Sequence, residues 1–149
     1  MTDSYLVFQR IFEQLKDKVD GIKDIVFVTD WREIQSLQKQ NLAYPCLVIE
    51  MPDVQRHTEK QTFDYLTNWS VVSNIGTNES FTAYQTLLGE MMTLTQKVHD
   101  CLFCADGEDG WSGETDGKFY PIMGATADNC YGWRSDAEIN IFSSKILEA

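Results

Sequence analysis

Positive charge is scarce in this sequence: twelve lysines and arginines stand against twenty-three aspartates and glutamates, a formal net charge of −11. A broad surface for DNA or for an anionic membrane needs a basic face, so neither fits as the partner of an extended surface. Long apolar runs are missing too. None approaches the ~20 residues that cross a bilayer, and the first residues lack the basic, apolar, small-residue order of a secretory signal. The expectation is a soluble, cytoplasmic protein. Cysteine occurs only at 46, 101, 104 and 130, too sparsely for a disulfide scaffold and in keeping with reduced thiols. Histidine occurs twice and proline three times. No repeat, linker or low-complexity tract divides the chain.

What is present is enough for a core. The 149 residues are 43% apolar and 12% aromatic, well above a disordered composition. A chain of this length buries roughly 70% of its unfolded surface as a single domain, here taken as 1–149.

Phe8, Ile11, Phe12, Leu15 and Val19 recur at helical spacing between residues 4 and 19, with Asp3 or Ser4 to cap the start and Gly21 to end it. The run DIVFVTD from Asp24 to Asp30 is β-branched and aromatic and predicts a short buried strand. Asp30 and Glu33 form a capping-box pattern ahead of Trp31, Ile34 and Leu37, which predicts a short helix or ordered excursion toward Asn41. Tyr44-Pro45 then imposes extended backbone before CLVIEM, a second strand ending near Pro52. Residues 54–60, polar and containing His57, read as a loop or exposed hairpin tip.

In the third strand Phe63, Tyr65, Thr67, Trp69, Val71 and Ile75 share one parity, while Asp64, Asn68, Ser70 and Asn74 share the other. One face should be core and the other wet, which favours an antiparallel sheet. Phe81, Tyr84, Leu88, Met91, Thr95, Val98 and Leu102 then step by three and four behind an Asn78 cap. They predict a helix from 79 to 103, roughly 37 Å long, lying across a sheet with Phe81, Leu88 and Met91 buried. Residues 105–118 hold Asp106, Glu108, Asp109, Glu114 and Asp116 among glycines, a flexible acidic loop. Phe119 to Met123 is a short strand interrupted by Pro121, hence near an edge. In the last strand Trp133, Ala137, Ile139 and Ile141 alternate with Arg134, Asp136, Glu138 and Asn140. The fold class is α+β: an antiparallel sheet of about four to five strands with a long helix and an N-terminal helix on one face.

Chemistry is harder to find. Cys101 and Cys104 form a C-x-x-C pair, but at the carboxy end of the long helix, where the dipole opposes a thiolate. A zinc site would need Cys46 and Cys130 as distant ligands, so the four thiols read as structural, with zinc as the alternative. The acidic loop does not follow an EF-hand pattern, and Ser112 lies in G-W-S-G rather than on a nucleophile elbow. His57 and His99 have no spacing that relates them to each other or to a nucleophile. No glycine loop opens a helix to cradle phosphate. The sequence therefore suggests no enzyme, cofactor or metal. Trp111, in an otherwise polar loop, reads either as an interface aromatic or as an anchor folded back on the core.

The order is helix, strand, excursion, YPCLVIEM strand, two-faced strand ending in WSVVSN, long helix, acidic loop and closing WRSDAEINI strand. It resembles that of the tail-terminator and tail-completion proteins of tailed bacteriophages and their neck relatives. The resemblance covers most of the chain, although the Trp31–Asn41 excursion and the acidic loop exceed the leanest members. It implies a small α+β domain that assembles into a homo-oligomeric ring, a hexamer or a dodecamer, at the head–tail interface of the virion. There it would cap the tail tube and join it to head-connector proteins, with DNA passing through the ring and no sequence-specific contact. No catalytic residue transfers. On this reading the loop with Trp111, Asp106, Glu108 and Asp109, together with the tip near His57, reaches neighbouring subunits, and removing 107–116 leaves the monomer folded. The alternative is a soluble acidic module that binds a protein or a metal.

Overall fold

The computed structural model describes residues 4–29, 42–75, 79–103, 111–125 and 130–142. In chain order they form α1 (Ser4–Glu13), α2 (Leu15–Lys18), β1 (Asp24–Val28), β2 (Cys46–Glu50) and β3 (Asp53–His57). There follow β4 (Thr62–Asn74), α3 (Phe81–Phe103), β5 (Trp111–Glu114), β6 (Tyr120–Ala125) and β7 (Cys130–Phe142). The predicted first helix is present, interrupted at Gln14, which keeps helical dihedrals and bonds to Arg10 O at 3.1 Å. The predicted excursion from Asp30 to Asn41 and the Asp3 and Asn78 caps lie outside the described residues. Ser80 caps α3, its Oγ accepting from Ala83 N–H at 3.2 Å.

The architecture is α+β, built on a central antiparallel pair, β4 and β7, each of 13 residues, joined in unbroken register from Thr62↔Phe142 to Asn74↔Cys130. Each long strand carries two short ones on its outer edge. Along β4, β2 takes the Trp69–Val72 half and β3 takes the Thr62–Leu66 half. Along β7, β6 takes the end near Cys130 and β5 the end near Ile141.

β1 extends the sheet beyond β2 and pairs with it in parallel. The sheet thus has seven strands and is mixed, not the purely antiparallel four or five expected. β3 and β5 supply the excess: both fall in segments whose polarity predicts loop.

One face of the sheet carries the main core. Leu47, Ile49, Tyr65, Trp69, Val71, Ala137, Ile139 and Ile141 are buried beneath Phe8, Phe12 and Leu15 of the N-terminal helices and Met91, Val98 and Leu102 of α3. Phe8 stacks on Tyr65 with centroids 5.1 Å apart. Two of the indoles on this face are satisfied by carbonyls, Trp69 Nε1 donating to Asp136 O at 3.1 Å and Trp133 Nε1 to Leu88 O at 2.8 Å. Such partners are what a buried N–H requires.

The helical stripe is only half used. Met91, Thr95, Val98 and Leu102 are buried, but Leu88 is only partly so and Phe81 is 75% exposed, so the expected burial of Phe81 fails.

The second face is not uniformly wet either. At the β2–β6 end, Val28, Cys46, Val48, Val72, Ile122 and Cys130 form a second apolar cluster with Leu42 and Tyr44 packed on it. Gly132 lies in this cluster's strand. A Cβ there would sit 1.9 Å from Val71 O, so the close approach of β7 to β4 admits only glycine.

Candidate functional site

The alternation that aims Ile139 and Ile141 into the core aims Asp136 and Glu138 at the opposite face, and the same holds for Asp64 against Tyr65. Antiparallel register then gathers them. Across four strands one row reads Asp53, Leu66, Glu138, Glu114, and a neighbouring row pairs Asn68 with Asp136. This half of the second face, at the β3–β5 end, is a carboxylate field around an exposed leucine. The Arg134 guanidinium, clamped on the Glu50 carboxylate at 2.8 and 3.0 Å, separates it from the second apolar cluster.

Two acid pairs form within the field. Burial raises the Glu138 carboxyl above its usual range, a hydrogen bond with Glu114 and the charges of Asp64 and Glu114 add to the rise, and Lys60 opposes it. Burial likewise raises Asp136, which shares a hydrogen bond with Asp116. The hydrogen bond with Asp136, then the Lys118 N–H at 2.9 Å, lower exposed Asp116. Asp136 therefore keeps a proton longer than Asp116 and can donate it to that carboxylate. Asp136 also accepts from Thr115 Oγ1 at 3.1 Å, which pins the segment after β5 to β7.

Between the β2–β3 corner and β7 the surface sinks into a cleft of about 220 Å³, with Leu66 among its lining residues and Asp53, Asn68, Asp136 and Glu138 around it. Leu66 is 41% exposed. Thr67, beside it, turns its hydroxyl to Glu50 O and closes the corner where β2 ends.

The residues singled out by sequence fare differently. Trp111 is not a loop aromatic: it is 7% exposed, stands on β5 opposite Ile141 and belongs to the main core, so the anchor reading holds in this chain. β5 lies close under the end of α3, since a Cβ on Gly113 would come within 2.8 Å of the Phe103 ring. The core position of Trp111 speaks against the expectation that 107–116 can be removed without harm to the monomer. Asp106, Glu108 and Asp109 lie outside the described residues.

His57 ends β3 and accepts the Lys60 N–H on Nδ1 at 3.3 Å, closing the hairpin turn; residues 53–57 are thus strand, and only the turn beyond is a tip. His99 lies between the rings of Phe103 and Phe119, with centroids 4.8 and 5.6 Å away. Among the described residues the two histidines are thus held on separate elements, β3 and α3, each with its own local partners.

Cys46 and Cys130 are buried on the second face and Cys101 is half-buried on α3; Cys104 lies outside the described residues. Burial first, then the charges of Asp24 and Cys130, push the Cys46 thiol up to about 12, which leaves it an unreactive S–H. Among the described residues no three His, Cys, Asp or Glu side chains converge to hold a metal ion. No helix among them is long and apolar enough to cross a membrane.

The acidic face is what sequence reasoning missed. Its signal was present in the polar parity of β4 and β7, but only their pairing makes neighbours of residues more than seventy positions apart, such as Asp64 and Glu138. No protein-family model matches the chain, and no curated protein matches it in sequence.

Proposed function

We propose that this chain is a structural subunit of a tailed-phage head–tail junction, a tail-terminator or tail-completion protein that assembles into a ring capping the tail tube and meeting the head connector. The observation that carries this reading is the layer arrangement: a long helix and an N-terminal helix on one face of a largely antiparallel sheet, in the element order that resembles the family. The charge agrees in sense. A ring threaded by DNA works with a lumen that repels phosphate, and a chain of net charge −11 with carboxylates on half of one sheet face provides repulsive surface. Residence in the virion, after assembly in the host cytoplasm, belongs to the same proposal.

Sedimentation over a concentration series tests it. The expected result is a closed species at a large multiple of 17.1 kDa that binds the open end of isolated tail tubes. A protein that stays monomeric at every concentration and ignores tail tubes would sink the ring. The second reading, a soluble module for a protein partner, is favoured by one feature, the acid-rimmed cleft on the sheet.

A further inference from the structure

Like charges placed directly opposite on neighbouring strands destabilise a sheet, yet Glu114 faces Glu138 across β5 and β7. In the same row Leu66 lies between Glu138 on one side and Asp53 on the other. A large aliphatic side chain 41% exposed thus lines a cleft of about 220 Å³ whose other lining includes three carboxylates and the Asn68 amide. Lys60 is the cation that acts on Glu138, and its influence is the weakest of the five.

We propose that this cleft docks a basic segment of a partner protein, a lysine or arginine side chain laying its aliphatic stem on Leu66 and its cation among Asp53, Asp136 and Glu138. The combination selects the occupant. A bare metal ion gains nothing from Leu66, and the described residues offer no metal-holding group. A nucleic acid is repelled. A purely apolar peptide would leave the carboxylates without compensation, whereas long cationic side chains carry an apolar stem and a charged head together. The proposal goes beyond ring assembly and does not rest on it.

The probes are two fluorescein-labelled hexapeptides, hexalysine and hexa-diaminobutyrate, the second lacking two methylenes of each stem, titrated by fluorescence anisotropy into full-length protein at pH ~6, where both carry their full cationic charge. Hexalysine should bind saturably, and at least about fivefold more tightly than the short-stemmed peptide. Leu66→Gln, and Asp53→Asn combined with Glu138→Gln, should each weaken hexalysine by about tenfold, while Asp20→Asn combined with Glu90→Gln changes it less than about twofold. Amide spectra establish that each variant is folded; should the acid double variant unfold, Leu66→Gln alone decides. Equal binding of the two peptides, equal weakening by the control pair, or no saturation would overturn the proposal. If the protein alone self-associates and Leu66→Gln abolishes that, the occupant is a second copy and the basic partner is rejected. The ring reading fails on a different result, the absence of any assembly by the unmodified chain.

Discussion

Glu138 is held in a place that disfavours its own charge. Its carboxyl is raised by burial and by Glu114 and Asp64, so the native chain binds this proton more tightly than the unfolded chain does. The linked stability is therefore greatest below the unfolded carboxylate value, near pH ~4, and is lost as pH rises through the raised native value. Glu138→Gln removes that dependence. The variant should melt above the parent at pH 8, by no more than about 3 °C because the group is largely solvent-screened, with the difference vanishing toward pH 4. A melting difference that does not change with pH would show that Glu138 is not a stressed carboxyl. Which face Glu138 occupies was legible from the alternation around Ile139 and Ile141. Its like-charged neighbours were not, because Glu114 falls in a segment whose composition says loop and Asp64 lies on a strand more than seventy residues away in sequence.

Among the elements, α3 shows what periodicity reads and what it leaves open. The three-and-four spacing marks the buried side from Met91 to Leu102, but it says nothing about where the sheet beneath stops. The first turns, led by Phe81, lie outside the core. Leu102→Ala should thus cost about 2–5 kcal/mol in chemical denaturation, while Phe81→Ala should stay within roughly 0.5 kcal/mol. Equal losses would mean that Phe81 packs as the stripe alone suggests.

β5 makes the opposite case. Four residues among glycines and acids give no strand signal, yet Trp111 enters the main core and Gly113 fits beneath Phe103. Deleting 107–116 should unfold or severely weaken the monomer, and Trp111→Ala alone should lose about 3–5 kcal/mol. A deletion variant with the parent's melting temperature would return this segment to the status of a loop.

For the whole molecule, element order and the two-faced strands were enough to give an α+β class with helices on one side. Strand neighbours were the harder matter. The parallel β1–β2 pair needs a long connection, and the chain between Val28 and Cys46 supplies one; the expectation of an antiparallel sheet missed that pair. β3 was hidden because a surface hairpin arm, exposed along most of its length, has no core face to betray it.

The arrangement of two long strands, each edged by two short ones, has a consequence in time. β4 and β7 meet through residues 56 to 80 positions apart, so their pairing must close a very large loop before any flanking strand has a complete sheet to join. Folding should be slow for a chain of this size. Once formed, the central ladder is shielded on both sides, and its amides should exchange with deuterium only through global opening, whereas those of the exposed β3 arm exchange through local fraying at far smaller cost. The exposed β3 arm can peel away while the spine persists.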